Sequence, residues 1–155
     1  MNVAEEKQHI VAFEASDDVP DPQELAWAFP SVKPGMEPFG GRVIIQLRRI
    51  KKKTAGKIIL VEETKENEKW NNMIGKIVAV GPLAFKKRDT MESWPEGSWC
   101  SVGDYIRVLK WGGDRWEVKV PGDDDLEDPA LFMILNDHEI IAKVTCNPLE
   151  MRAFI

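Results

Sequence analysis

The sequence predicts an all-β fold, a small barrel or sandwich with an extension at each end of the chain. Six short segments after residue 41 are rich in β-branched and other apolar residues, a composition typical of strands. Glycine, proline or aspartate turns bound each segment, and this spacing favours consecutive strands over alternating βαβ units. The predicted strands are residues 42–47, 75–81, 104–109, 115–120, 131–135 and 139–144.

Composition divides the chain into three parts. We expect an acidic, proline-containing extension at residues 1–37, a β domain at residues 38–144 and a tail at residues 145–155. The tail presents several apolar residues after Asn147-Pro148, for which we favour packing at a subunit seam. These residues are Leu149, Met151, Phe154 and Ile155.

The acidic extension contains one predicted helix. Asp21 can cap free backbone amides, and Pro22 suits the first helical position. Leu25, Ala28 and Phe29 then fall on one helical face. We favour a short helix that packs against the domain over an arm that docks onto a partner.

Bulk composition excludes several classes of function. The 155 residues carry a formal net charge of -5, with 43% hydrophobic and 30% charged residues, as in an ordinary soluble domain. The one basic cluster, within residues 48–53, lacks interleaved aromatic residues, so we interpret it as a solvated loop flank and expect no nucleic-acid partner. The sequence shows neither a membrane-length apolar stretch nor a secretory signal, so we expect a cytoplasmic protein with no membrane partner.

Residues with catalytic or metal-binding chemistry are sparse. Cys100 and Cys146 are far apart and lack a CxxC spacing, so we expect two free, partly buried thiols rather than a metal site or a bridge. His9 and His138 are the imidazole bases of the sequence, which shows no nucleophile elbow, phosphate loop or Rossmann fingerprint. We therefore expect neither an enzyme nor a cofactor.

Glycine pairs and an acidic run have simpler interpretations than ligand binding. Gly40-Gly41 and Gly112-Gly113 suit hairpin turns better than phosphate cradles. The acidic run at residues 121–128 lacks the alternating register of a calcium-binding loop, so we expect a solvated loop there.

Motifs along the β domain, in their order and spacing, resemble those of the GroES-like co-chaperonin (chaperonin-10) family. The resemblance covers residues 38–144, roughly two thirds of the 155 residues. It consists of an opening strand, a mobile-loop motif, a Gly-Lys-Ile-Val-Ala-Val-Gly-Pro segment, a Val-Gly-Asp-Tyr-Ile segment and a closing strand. These motifs lie at residues 38–45, 53–60, 75–82, 102–106 and 136–144.

The resemblance implies a lid subunit rather than an enzyme. Subunits would self-associate, as a heptamer, into a dome of small β-barrels that caps an ATP-bound GroEL-type chaperonin ring. The ring would carry out the nucleotide chemistry, and the closed cage would assist ATP-dependent folding of an unfolded or encapsulated protein substrate. Residues 82–99 occupy the place of the family's roof hairpin.

A mobile loop is the part of such a lid that binds the ring, and here it corresponds to about residues 50–72. The resemblance assigns the ring contact to Ile58, Ile59 and Leu60 and the loop hinge to Gly56 and Lys57. The composition agrees independently, because three large apolar residues in a lysine- and glutamate-rich segment are candidates for burial on a partner. An ordinary edge strand is the alternative for this tripeptide.

Several features depart from the family pattern. Lys57 stands where the family usually has glycine, and extra residues lengthen the loop between Leu60 and Gly75. The acidic extension, the tail and the high tryptophan content also lie outside the pattern. We hypothesise a divergent, bacteriophage-encoded member whose cage suits a large viral substrate in the host cytoplasm.

Two rival functions stay open at the level of sequence. The first is a structural or assembly protein that reuses the barrel without binding a chaperonin, and its loop tripeptide would pack within its own assembly. The second is a fragment of a medium-chain alcohol dehydrogenase, whose catalytic domain has a related barrel. Such an enzyme needs a Rossmann partner and usually zinc ligands, and neither is visible in the sequence.

Overall fold

In the computed structural model, the described part of the chain forms a six-stranded antiparallel sheet preceded by one short helix, which confirms the predicted all-β class. The structure describes residues 19–49, 72–110, 112–121 and 129–151. Within these ranges no helix is long and apolar enough to cross a bilayer. In chain order the elements are α1 (Pro22–Ala28), β1 (Arg42–Leu47), β2 (Ile74–Val80), β3 (Tyr105–Val108), β4 (Asp114–Val118), β5 (Ala130–Asn136), a 3-10 turn (Asp137–Glu139) and β6 (Ile140–Lys143).

The six predicted strands are all present, each within two residues of its expected ends. They pair in the order β4-β5-β1-β2-β3-β6, and every neighbouring pair is antiparallel. Nη1 of Arg115 in β4 lies 3.0 Å from the carbonyl oxygen of Asn72, two residues before β2. Three strand spacings, about 14 Å, would separate these strands in a flat sheet, so the sheet must be strongly rolled.

The main core lies inside the rolled sheet. Side chains of β1, β2, β3 and β5 meet there with residues of the connection between β2 and β3. Alternate residues of β1, namely Val43, Ile45 and Leu47, are fully buried in this core. The other fully or largely buried members include Ile77, Phe85, Cys100, Ile106, Val108, Leu131, Met133 and Leu135.

The outer face of β1 is also buried, because the N-terminal extension lies across it. Ile44 of β1 and Phe132 of β5 pack there against Val32 of the extension. The indole of Trp116 in β4 stacks on Phe132, and its Nε1 donates to the carbonyl oxygen of Pro34 over 2.8 Å. Burial on both faces accounts for the nearly continuous apolar run in β1.

Helix α1 begins where the sequence predicts. The side chain of Asp21 accepts a hydrogen bond from the backbone N–H two residues later over 2.9 Å, and Pro22 occupies the first turn. Ala28 and Phe29, both expected on the apolar face, are buried. The Phe29 ring centroid lies 5.2 Å from that of Tyr105 in β3. These contacts support a helix packed against its own domain.

The glycine pairs do not make the hairpins expected of them. Gly112-Gly113 lies between β3 and β4, which are not neighbours in the sheet, so the hairpin prediction there is wrong. Gly113 has a φ of 71°, and a Cβ atom on it would lie 2.6 Å from Cε of Met133 in β5. This glycine therefore allows the connection between two distant strands to pass close to β5. The other pair, Gly40-Gly41, forms the turn before β1.

Candidate functional site

The residues to which the sequence assigns ring binding lie outside the described part of the chain. Segment 50–71 contains all of them, namely Gly56, Lys57, Ile58, Ile59 and Leu60. These assignments stay predictions. The structure describes the residues on either side of this segment, which are Arg48 and Arg49 after β1 and Asn72 before β2.

Arg48 extends the pairing of β1 and binds the C-terminal part of the chain. Its backbone N–H donates to the carbonyl oxygen of Ile74 over 3.0 Å. Its Nη1 donates to the carbonyl oxygens of Pro148 and Met151, at 2.6 and 2.7 Å. Because the guanidinium is charged, these bonds are roughly twice as strong as neutral ones. They hold residues 148–151 beside the end of β1.

Arg49 binds helix α1 in three ways. Its backbone N–H donates to the carbonyl oxygen of Ala28 over 2.9 Å, and its Nε donates to that of Trp27 over 2.8 Å. The guanidinium carbon lies 4.6 Å from the centroid of the Trp27 ring, within cation–π range. Arg49 is only 8% exposed, and Arg48 is half-buried. For these two arginines the solvated-flank prediction is wrong.

Asn72 lies at the point where the chain returns to the sheet, and it is 1% exposed. Its Nδ2 donates to the carbonyl oxygen of Arg48, and its Oδ1 accepts from the backbone N–H of Ile74 over 3.0 Å. Its own carbonyl oxygen accepts a hydrogen bond from Arg115. Burial of the Arg115 guanidinium lowers its pKa from the usual value. Arg48 and Asn72, on either side of segment 50–71, are therefore hydrogen-bonded to each other.

One signal for this arrangement is present in the sequence and was not used. Two arginines that directly continue a strand buried on both faces need acceptors near them. The acceptors themselves carry no signal, because they are main-chain carbonyls 22 and 100 residues away in the chain. The contribution of Trp27, Asn72 and the terminal segments was missed for the same reason.

A second polar cluster lies at the start of β1. The carboxylate of buried Asp137 accepts from the backbone N–H groups of Phe85 and His138, at 2.7 and 2.8 Å. Phe85 has a φ of 63°, a left-handed conformation that costs a non-glycine residue free energy. The backbone N–H of Asp137 donates to the carbonyl oxygen of Gly41. Asp137 thus fixes the roof segment, residues 82–99, to the start of β1.

An open cleft beside β6 brings Cys100 and His138 into one lining, a combination of residue types that can serve nucleophilic catalysis. Burial and the nearby Asp104 carboxylate raise the pKa of Cys100 to about 11, although Lys143 opposes the shift. The thiol is therefore protonated at neutral pH and a poor nucleophile. Cys100 and Cys146 form no disulfide with each other, as the sequence predicts. The cleft gives no support to an enzymatic function.

Metal binding finds no support in the described ranges. They contain no group of three or more histidine, cysteine, aspartate or glutamate side chains placed to hold an ion. Residues 122–128 of the acidic run and His9 lie outside the described chain, as do the tail residues Phe154 and Ile155.

A comparison with known protein families bears on this arrangement. A family model described as "Chaperonin 10 Kd subunit" matches residues 35–144, about seven tenths of the 155-residue chain. The matched region contains the six strands, segment 50–71 and the roof segment. Helix α1 and residues 145–151 lie outside it. The main-chain acceptors of the Arg48 and Arg49 side chains are therefore outside the matched region.

Proposed function

The chain belongs to the chaperonin 10 kDa subunit family, and we propose that its co-chaperonin function is to cap a GroEL-type chaperonin ring as a lid and so to assist ATP-dependent protein folding. The observation that carries the proposal is the extent of the family match, which includes both the sheet and segment 50–71. Nucleotide hydrolysis belongs to the ring in this proposal, so the lid requires no cofactor.

In this proposal the ring contact is the tripeptide Ile58, Ile59 and Leu60, and Gly56 and Lys57 are the hinge. Composition supports the assignment, because these large apolar side chains stand among lysine and glutamate residues. An apolar cluster in such a setting gains most by burial in a groove of a partner. The groove of a chaperonin ring that accepts it would be hydrophobic.

Binding through one loop alone would be weak. Burial of three side chains of this size contributes about 5–8 kcal/mol gross. Ordering a segment on binding costs about 2–5 kcal/mol or more, besides the cost of association. Several loops in one assembly raise the effective concentration and give avidity, while each contact can still release. A lid that must leave the ring in every cycle needs this combination.

Self-association, as a heptamer, is part of the proposal. β4 and β6 are the edge strands of the described sheet. Ile141 on β6 is 53% exposed, and Phe39, just before β1, is 77% exposed. Edge strands and exposed apolar side chains favour burial between subunits. Met151 of the tail packs against Ile74 and Val144 of its own chain, so the subunit seam in this proposal falls to Phe154 and Ile155.

The experiment that tests the function is ATP-dependent capture of the purified protein by a bacterial GroEL-type ring. We expect the wild-type protein to be captured with ATP, and Ile59→Asp to abolish capture because a charge cannot enter an apolar groove. Thr64→Asp is the matched control, since it adds the same charge to the same segment outside the mobile-loop motif at residues 53–60. It should leave capture intact.

Two results would contradict the proposal. Wild-type protein that forms a stable assembly but is never captured would favour the rival function of a structural or assembly protein. Equal loss of capture in Ile59→Asp and Thr64→Asp would show that the tripeptide is not the specific contact. Refolding of a ring-dependent substrate, with the wild-type protein as the added lid, then tests whether capture assists folding.

A further inference from the structure

Both terminal parts of the chain reach the residues from which segment 50–71 departs. Arg49 donates to two main-chain carbonyls of α1, and Arg48 donates to two carbonyls within residues 148–151. Neither terminal part lies within the region that matches the family. Segments outside the matched region therefore help to hold this junction.

The contact between Arg49 and α1 fixes direction as well as distance. The guanidinium presents its Nε–H to the Trp27 carbonyl while its face lies over the Trp27 ring. The backbone N–H of Arg49 is bonded to Ala28 at the same time, so the main chain and the side chain share one anchor. A planar, delocalised cation is needed for this geometry, and a lysine ammonium does not reproduce it.

The end of helix α1 is anchored to the sheet through the two residues that follow it, Phe29 and Pro30. Gln46, a polar residue in the apolar run of β1, is 3% exposed, and its Nε2 donates to the carbonyl oxygen of Pro30 over 2.7 Å. Phe29 packs against the ring of Tyr105 in β3. Arg49 is bonded to α1, and the residues after α1 are bonded to β1 and packed on β3. These contacts together fix the direction of the chain at Arg49.

The returning end of the segment is tied to the same unit. The Nδ2 of Asn72 donates to the carbonyl oxygen of Arg48, and Arg115 of β4 donates to the carbonyl oxygen of Asn72. A shift of Arg48 would therefore disturb Asn72 as well. The described residues on both sides of segment 50–71 therefore belong to one hydrogen-bonded cluster.

We propose that residues 27–30 of the N-terminal extension and residues 148–151 form a collar, which fixes the direction in which segment 50–71 leaves the sheet and so sets how tightly each loop binds a chaperonin ring. The part of this inference that concerns the ring rests on the proposed function. The collar acts through Arg48 and Arg49, which position the segment.

Direction, rather than loop length, is the property that the collar controls. Closure entropy changes only slowly with the number of residues in a loop, so freeing two residues has little effect by that route. Fixing the ends in advance removes orientations that binding would otherwise have to exclude. We expect about a threefold effect per loop, which several loops in one assembly raise to about tenfold or more.

The test uses the full-length protein in its own assembly, with a GroEL-type ring and ATP. Arg49→Ala and Arg48→Ala should each weaken the apparent Kd for the ring by about tenfold. Arg49→Lys should behave like the alanine variant, because it keeps the charge but loses the planar Nε–H donor. In the free protein, amide hydrogen exchange at residues 47–49 and 72–74 should accelerate in these variants, whereas exchange in β5 should not.

Two matched controls separate the collar from general stability. Arg42→Ala removes an exposed arginine at the other end of β1 and should change neither the Kd nor the exchange. Trp116→Phe removes the bond to Pro34, which belongs to the same extension but lies away from the junction. It should lower stability and leave the Kd for the ring unchanged.

Three outcomes would overturn the collar, and they are distinguishable. In the first, the ring captures the wild-type protein but not Ile59→Asp, and the Arg48 and Arg49 variants keep the wild-type Kd. This result would refute the collar and leave the proposed function in place. If Trp116→Phe weakened the Kd for the ring as much as the arginine variants do, lost stability would explain the weaker binding. Failure of the wild-type protein to bind the ring would remove the proposed function and the collar's role in binding together.

Discussion

Charged side chains bind main-chain atoms at both ends of β1, but the charges are opposite in sign and the hydrogen bonds run in opposite directions. At the start, the Asp137 carboxylate accepts from the N–H groups of Phe85 and His138. At the end, Arg48 and Arg49 donate to carbonyl oxygens. At each end the charge satisfies irregular main chain that the sheet ladder does not pair.

The partners at these two ends come from different parts of the chain. Those at the start of β1 lie inside the region that matches the family, residues 35–144. The acceptors of the Arg48 and Arg49 side chains lie in α1 and in residues 148–151, outside that region. The roof segment is thus held by bonds within the matched region, whereas the residues beside segment 50–71 are also bonded to residues outside it.

Gly81→Ala should disrupt the packing of the main chain at the start of β1 and have the largest effect on stability. A Cβ atom there would overlap the carbonyl oxygen of Gly40 and lie 2.8 Å from that of Arg42, so the main chain must move. We expect the free energy of unfolding, measured with urea, to fall by about 3–4 kcal/mol. Gly41→Ala is the matched control, because its added Cβ meets no atom closer than 3.7 Å. Equal losses in the two variants would contradict this account.

Asp137→Asn should loosen the roof without affecting the far end of β1. The amide keeps one acceptor oxygen, so one of the two backbone N–H groups now bonded to the carboxylate loses its partner. The free energy of unfolding should fall by about 2 kcal/mol. Hydrogen exchange should accelerate in residues 82–99 and stay unchanged at residues 47–49. Equal acceleration at both places would show that the two ends are not independent.

The reactivity of the Cys100 thiol indicates whether the roof segment covers the main core. Its pKa of about 11 lowers the thiolate fraction at pH 8 by about a hundredfold relative to the ordinary value of 9.0. A more basic thiolate is also more nucleophilic, which compensates for about tenfold of the hundredfold lower thiolate fraction. Alkylation of Cys100 should therefore be about tenfold slower than in urea-unfolded protein. Cys100→Ser identifies the signal of this thiol against Cys146.

The pH dependence of that alkylation gives a sharper test. The pKa of Cys100 is raised, so its thiolate accumulates as the pH rises through about 11. The rate in the folded protein should therefore keep rising between pH 9 and pH 11. A plateau near pH 9 would mean that the thiol is more open to solvent than described.

Trp116→Phe should have the smallest effect on stability. Stacking on Phe132 persists, whereas the bond from Nε1 to the Pro34 carbonyl and part of the packed ring are lost. We expect the free energy of unfolding to fall by about 1 kcal/mol. Trp94→Phe is the control, because it replaces another partly exposed indole for which no bond to the extension is described. A loss as large as that of Gly81→Ala would mean that the extension holds the sheet together.

Much of the fold was predictable because its signals are local. The β-branched segments specify six strands, and Asp21 with Pro22 specifies the start of α1. The apolar run of β1 indicates burial on both faces. The family resemblance at residues 38–144 rests on motifs of this local kind, and the family match confirms it.

The contacts that carry the new inference were not predictable, because they are made with main-chain atoms far along the chain. Any residue type can supply the carbonyls that Arg48 and Arg49 bind, so the acceptors leave no trace in composition. The close approach at Gly113 likewise depends on a strand that is not its neighbour in sequence. The sites assigned to segment 50–71 stay predictions, since they lie outside the described residues.

The most direct test of the central claim is amide hydrogen exchange of the full-length protein, alone and bound to a GroEL-type ring with ATP. We expect the ring to add protection in peptides that contain residues 58–60 and to leave β5 unchanged, because the sheet is already formed in the free protein. Protection confined to the sheet or the roof segment, with none at residues 58–60, would contradict the proposed contact.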